Sequence, residues 1–310
     1  MERRYKVVFM GTPTFAVQSL LALANDDRFE VVGVVTQPDR PVGRKQKLQK
    51  PIVGMVAEAR KIPVLQPVKI RKNQEFLEQL KTLAPDVIVV AAYGKILPQE
   101  ILDIPLKGIV NVHASFLPKY RGASPISAAI LNGDNETGVT IMKMALAMDT
   151  GDIIAKSTPV RITDRDDAET LMAKLAEVGA KTLIESLPKY LDGEITPTPQ
   201  SEPDATYVKM LQKEDGMIDW HNDEDYIARQ VRAYTPWPSA YTTMNNQLVK
   251  ILSVEVNPAI ENPRGTIAKI DGQLYIGKLK IRKLQLAGKK PMDGKALLAG
   301  YPQLVGTRLI

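Results

Sequence analysis

The feature that most constrains this chain is the run Val87-Ile-Val-Val-Ala91, five apolar residues with no polar interruption. A strand without a polar alternate residue has no face for water. It belongs in the middle of a parallel sheet that is covered by helices on both sides. Runs of the same type recur at Tyr5–Met10, Val31–Thr36 and Gly108–His113, with a shorter one at Val64-Leu65. Helical patterns separate them: from about Phe15 to Asn25, over Pro51–Arg60, over Asn73–Leu83, and in a short piece over Pro98–Leu102. Alternation of this kind predicts the α/β class, a doubly wound, mostly parallel sheet. Gly11 follows the first strand, where a missing side chain lets a ligand or another backbone come close. The turn lacks the G-x-G-x-x-G pattern, so no dinucleotide is expected.

The stretch Gly108–Asp152 carries the chemistry. Side chains alternate along a strand, so Asn111 and His113 share one face, with Val110 and Val112 on the other. The polar pair falls at the strand's C-terminal end, where open α/β sheets bind ligands. Phe116–Gly122 reads as loop. A helix then starts at Ser124-Pro125, with the serine as cap and the proline at the first helical position, and ends near Asn132-Gly133. Thr137–Met144 and Ile153–Val160 are further strands, and Met148–Asp152 between them is a tight acidic turn. Asp166–Leu191 is a helix whose Leu171, Leu175, Val178, Leu183 and Leu187 form a core stripe. An amide, an imidazole and a carboxylate near one another suit acyl transfer. The amide donates to a developing oxyanion, and the imidazole does acid–base or electrophilic work near neutral pH. Asp149 can orient and polarise His113. No serine or cysteine nucleophile is needed if an amine attacks directly. Satisfied polar groups at a strand end would give the same pattern.

From Asp192 to about Thr206 the chain turns rich in proline, threonine and acids, which reads as a linker. The expected domains are therefore residues 1–191 and 207–310, with 192–206 between them. In the second, Asp223–Ala233 is helical. Five short strands follow at Ala240–Met244, Leu248–Val256, Thr266–Ile270, Leu274–Ile276 and Leu279–Leu286, with turns at Asn245-Asn246 and Asp271-Gly272. They predict a small, OB-like β-barrel.

Charge and composition narrow the function. The chain of 310 residues is 44% hydrophobic and carries a net charge of +6. Residues 37–50 hold five basic residues, Arg40, Arg44, Lys45, Lys47 and Lys50, against Asp39 alone. This stretch reads as a long loop suited to gripping phosphates. Residues 245–310 hold eleven basic residues against four acids. Lys278, Lys280 and Arg282 alternate and so share a strand face, a plausible nucleic-acid platform. Two basic regions on separate parts of the chain point to one polyanion touching both. There is no cysteine and there are two histidines, so disulfides and thiolate metal sites are excluded and a multi-histidine site is not expected. No apolar run reaches the roughly 20 residues of a membrane helix. The N-terminus shows no signal peptide, and a cytoplasmic location is expected.

These residues resemble the methionyl-tRNA formyltransferase family along almost the whole chain. The matching motifs are MGTPTFA at 10–16, TQPDRPVGR at 36–44, AAYGKILP at 91–98, NVHASFLPKYRGASPI at 111–126, ETGVTIMKM at 136–144 and MDTGD at 148–152. In the second half IDW at 218–220, TPWPSA at 235–240 and AGKKPM at 287–292 also fit. The resemblance implies formyl transfer from 10-formyltetrahydrofolate, as cosubstrate, to the α-amino group of methionine on initiator tRNA. It implies Asn111, His113 and Asp149 as the catalytic trio, with Ser115, Phe116, Leu117 and Pro118 bordering the formyl-folate site. Arg40, Arg44, Lys45 and Lys47 would meet the tRNA, and the basic barrel would add backbone contacts. A monomer without a metal is expected. Two departures stand out: Phe116 where the family usually has leucine, and no acid in Ala145-Leu146-Ala147.

Two rivals explain less. A formyltransferase for a small amine accounts for the trio but not for the basic regions. A non-catalytic RNA-binding protein accounts for the charge but leaves His113 and Asp149 idle. A nicotinamide oxidoreductase lacks its glycine fingerprint.

Overall fold

A computed structural model describes residues 4–42, 47–244 and 247–309. The chain forms two compact units. The first comprises Met1–Pro125, Thr137–Val160 and Met172–Val208. Its centre is a seven-stranded sheet of β1 (Tyr5–Gly11), β2 (Phe29–Val35), β3 (Val64–Leu65), β4 (Val87–Ala91), β5 (Ile109–His113), β6 (Thr140–Lys143) and β7 (Ile153–Lys156). The order is β7-β6-β5-β4-β1-β2-β3. Pairing is parallel from β3 through β5 and antiparallel at β6 and β7. Every residue of β4 is buried, as an uninterrupted apolar run requires.

Helices Phe15–Ala24, Ile52–Ala59, Gln74–Thr82 and Ala168–Leu191 agree with the expected spans to within a few residues. Asn73 caps the third of these, its side chain accepting from the Phe76 amide. The stripe Leu171, Leu175, Leu183 and Leu187 is fully buried. Packing requires Gly11. A Cβ there would stand 2.7 Å from Ala16 Cβ and 2.9 Å from the Ala91 carbonyl.

Two segments differ from expectation. The stretch 37–50 is not a plain loop, because Arg40–Val42 pairs antiparallel with Lys47–Gln49. Residues 192–206 do not hang free either. Thr198 bridges to Ile153, and the 3-10 turn Glu202–Asp204 leads into Tyr207–Val208, which pairs in parallel with Arg121–Gly122. Proline, threonine and acids suit tight turns as well as linkers. What decides is the contacts made by the turns.

The second unit comprises Ile126–Glu136, Arg161–Leu171 and Lys209–Ile310. Its sheet contains β8 (Ala240–Met244), β9 (Gln247–Val256), β10 (Ile267–Ile270), β11 (Gln273–Ile276), β12 (Leu279–Leu286) and β13 (Met292–Asp293). The order is β8-β9-β12-β11-β10, with β13 paired to β12 and every pairing antiparallel. This is the small β domain the strand pattern predicts. Val249, Ile251, Ile267, Leu274, Ile276 and Ile281 share one core with Trp220, Ile227, Val231 and Leu297. Asp271 and Gly272 both have positive φ, 49° and 69°, so this two-residue loop takes the twist a tight hairpin needs. Asn245 and Asn246 lie outside the described residues. The pattern missed the helix Gly294–Gly300, which is short and opens on glycine; Asp293 caps it through the Ala296 amide.

Gly122 is a tight joint between segments of the first unit. Its φ is +113°, and an added Cβ would stand 2.2 Å from the Val208 carbonyl oxygen. Gly122→Ala is expected to cost at least about 2 kcal/mol. A urea titration checks this, and an unchanged midpoint would show the joint to be slack.

Candidate active site

The sheet presents its polar pair at the end of β5. Asn111 and His113 lie on one face, and both are largely buried, at 9% and 5% exposure. On the opposite face Val112 packs against Gly179 of the long helix: a Cβ on that glycine would stand 3.1 Å from Val112 Cγ1. The acidic turn brings Asp149 onto the pair. Asp149 Oδ2 stands 3.7 Å from His113 Nδ1, and Asn111 Nδ2 lies 3.5 Å from Asp149 Oδ1. The three expected catalytic side chains are therefore gathered in one place.

The contacts are more specific than simple proximity. His113 Nε2 is 3.0 Å from the carbonyl of Tyr120. A carbonyl only accepts, so Nε2 carries the proton. Nδ1 is then the ring atom that faces Asp149. At 3.7 Å the carboxylate acts on Nδ1 through its charge rather than through a direct hydrogen bond. Asp149 Oδ2 is instead held by the backbone amide of Gly122, at 2.8 Å. Asp149 adopts φ +53°, a left-handed conformation that a non-glycine residue keeps only when its surroundings hold it.

A second group of residues holds this turn, and sequence reasoning missed it. Arg121 is completely buried. Its Nε donates to Gln200 Oε1 at 3.0 Å. Its terminal nitrogens donate to both Glu202 oxygens, at 3.0 and 2.8 Å, and to the Tyr207 hydroxyl at 2.7 Å. Gln200 Nε2 in turn donates to the carbonyls of Asp149 and Gly151, at 2.8 and 2.7 Å. The partners are 79 to 86 residues apart in the chain. No local pattern signals such a pairing. The one hint is an arginine beside a glycine in a loop that follows catalytic-type residues.

Of the expected cosubstrate residues, Ser115 and Leu117 bury their side chains completely. Ser115 Oγ donates to the Lys119 carbonyl, and the Leu117 amide donates to Thr140 Oγ1. Only Phe116 and Pro118 keep partly accessible side chains. The Phe116 ring lies against Gly138, where a Cβ would come within 2.2 Å of it. The larger residue at 116 is thus accommodated by a missing side chain at 138.

A family model described as formyl transferase matches residues 5–187, and one described as formyl transferase, C-terminal domain, matches residues 210–302. The methionyl-tRNA formyltransferase of Citrifermentans bemidjiense is 45% identical over 301 residues, covering 96% of this chain and 93% of that one. The chain belongs to the methionyl-tRNA formyltransferase family. Solved structures share the fold at lower identity. An N-formyltransferase from Helicobacter canadensis, in complex with folinic acid and dTDP-3-aminofucose, aligns with a TM-score of 0.66 at 20% identity, over 93% of this chain and 100% of that one. HypX from Aquifex aeolicus, in complex with tetrahydrofolic acid, gives 0.66 at 16% identity over 98% of this chain and 48% of that one, so this chain spans about half of it.

The basic residues of this formyltransferase divide. Arg40 and Lys47 are exposed on the two paired strands, whereas Arg44 and Lys45 lie outside the described residues. The base of the ribbon is tied to the sheet end. Arg40 donates to Gln37, whose Nε2 donates to the Tyr93 carbonyl at 2.9 Å. In the second unit Lys280 and Arg282 do share the outer face of β12. Lys278 does not, because it sits in the turn between β11 and β12 rather than in a strand. Arg282 is paired with Glu255, which cancels part of the positive face. Among the described residues no group of three or more His, Cys, Asp or Glu side chains is arranged to hold a metal ion, and no helix is long and apolar enough to cross a membrane.

The Arg121 guanidinium holds the Glu202 carboxyl below its ordinary value of 4.5. A depressed carboxyl contributes stability above its unfolded value and loses it as the pH falls through the folded value. Glu202→Gln is therefore expected to be less stable than the parent at pH 7, with the gap closing as the pH falls below 4.5. Urea titrations across that range check it, and a gap independent of pH would refute the ion pair's role.

Proposed function

We propose that this formyltransferase moves the formyl group of 10-formyltetrahydrofolate onto the α-amino group of the methionine carried by initiator tRNA. The observation that carries the reading is the gathering of Asn111, His113 and Asp149 at the end of β5. The full-length similarity to methionyl-tRNA formyltransferases supports the choice of substrate.

The amine nitrogen attacks the formyl carbon, and the carbonyl oxygen takes negative charge. An amide nitrogen carries two N–H groups. One of those on Asn111 is turned toward Asp149, which leaves the other for the oxyanion. His113 meets the same charge through Nδ1. The Asp149 carboxylate faces that atom from 3.7 Å. As the tetrahedral adduct collapses, the new C–N bond stays and the bond to N10 breaks. The amine gives up a proton and N10 takes one, and Nδ1 of His113 is placed to carry it. Phe116 and Pro118 supply the accessible part of the wall next to the trio.

Arg40, Arg44, Lys45 and Lys47 belong, on this reading, to the grip on the tRNA phosphates, with Lys280 and a partly neutralised Arg282 on the second unit. The first unit carries the chemistry and the second the additional RNA contacts. Each chain supplies all three residues of the trio, so a monomer suffices, and charged tRNA places its work in the cytoplasm.

The test is formyl transfer to methionine on initiator tRNA, beside a free small amine as acceptor and beside His113→Ala. Formylation of the charged tRNA alone is expected, falling at least about 100-fold in the variant. Transfer to the small amine but not to the tRNA would overturn the substrate assignment. Full activity of His113→Ala would overturn the site.

A further inference from the structure

We propose that Gln200, locked by Arg121, is a positioning residue that keeps the Asp149 carboxylate turned toward His113; the inference rests on the reaction proposed above. Asp149 sits at the end of a weakly held stretch, since Ala145, Leu146, Ala147 and Met148 are all exposed. Its backbone is left-handed, at φ +53°, a conformation uncommon outside glycine. Two donors hold it. The Gly122 amide holds the carboxylate, and the Gln200 side-chain amide bridges the carbonyls of residues 149 and 151.

The orientation of the Gln200 amide is fixed by its partners. Oε1 faces a guanidinium, which only donates, and Nε2 faces two carbonyls, which only accept. Neither near relative of glutamine fits this place. A glutamate would set an oxygen against two carbonyl oxygens. An asparagine is one methylene short of spanning from Arg121 to the turn.

Arg121 is not a substrate ligand. It is completely buried, and it makes four hydrogen bonds to Gln200, Glu202 and Tyr207. Its chain neighbours hold the catalytic pair directly: the Tyr120 carbonyl meets His113 Nε2, and the Gly122 amide meets Asp149. The backbone amides of residues 120, 121 and 123 are stitched to the 198–208 segment. The Arg121 amide donates to the Thr206 carbonyl and the Ala123 amide to the Val208 carbonyl. The Tyr120 amide donates to Thr206 Oγ1. Arg121 therefore anchors to residues 200–207 the loop whose neighbouring residues hold both His113 and Asp149.

The chain's two histidines make a direct test possible. In protein labelled on the histidine rings, His113 reports on the Asp149 carboxylate, and the exposed His221, paired with Asp219, is an internal control. Gln200→Ala and Gln200→Asn are compared with the parent. Both are expected to lower kcat for charged tRNA at least about 10-fold while either KM stays within about 3-fold, because substrate contacts are intact. In both, the ring-nitrogen signals of His113 are expected to shift, because the carboxylate facing Nδ1 is displaced, while those of His221 stay. Unchanged kcat with unmoved His113 signals would overturn the inference. Loss of the native histidine signals in both variants would also overturn it, making Gln200 a folding residue only. If the parent itself does not formylate charged tRNA, the reaction assignment fails. The His113 ring signals still decide the positioning role separately.

Discussion

The site depends on how one carboxylate is held. Asp149 lies in a turn with a left-handed backbone, and it faces His113 without a direct hydrogen bond to it. Its oxygens are taken by the Gly122 amide and, more loosely, by Asn111. A carboxylate bonded straight to Nδ1 would keep the proton there and hold the ring away from chemistry. At 3.7 Å the carboxylate faces Nδ1 and leaves it open to a reacting atom. The rest of the first unit maintains that separation.

The sheet does this by division of labour. The parallel strands β1 and β4 are buried on both faces and supply a rigid base. β5 sits beside them and carries the polar pair at its C-terminal end. β6 runs antiparallel to β5 and leads into the acidic turn, so residues 149 and 111 meet although 38 residues separate them. Thr140 of β6 also ties down the following loop, by donating to the Ser115 carbonyl and accepting from the Leu117 amide. The buried residues of the 115–118 segment are thus framework, and its partly accessible residues form the surface.

Much of this was legible in the sequence, and the limits are physical. Period-two alternation places Asn111 and His113 on one face without any further information. The apolar run at 87–91 declares its own central position. The five strands of the second unit follow from turn residues and β-branched runs, and a short helix opening on Gly294 leaves no such trace. Lys278 fell on the right alternation but sits in a turn, because periodicity cannot tell the last residue of a turn from the first of a strand. Asp149 is signalled both by its acidic turn after a strand and by the family motif. The Arg121–Gln200 lock escaped altogether: its parts lie 79 residues apart, and the segment carrying Gln200 has the composition of a linker. Long-range polar pairs of buried groups are specified by the finished fold, so they come last to sequence reasoning.

The central claim is that Asp149 acts through His113 and not on the substrate by itself. A double-mutant cycle tests it most directly. The kcat/KM for formylation of charged initiator tRNA is measured for the parent, His113→Ala, Asp149→Asn and the double variant. The account predicts that each single change costs at least about 100-fold and that the double variant lies within about 3-fold of the worse single one, since the carboxylate has nothing left to act on. Losses that multiply would contradict it, and would give Asp149 a task independent of the imidazole.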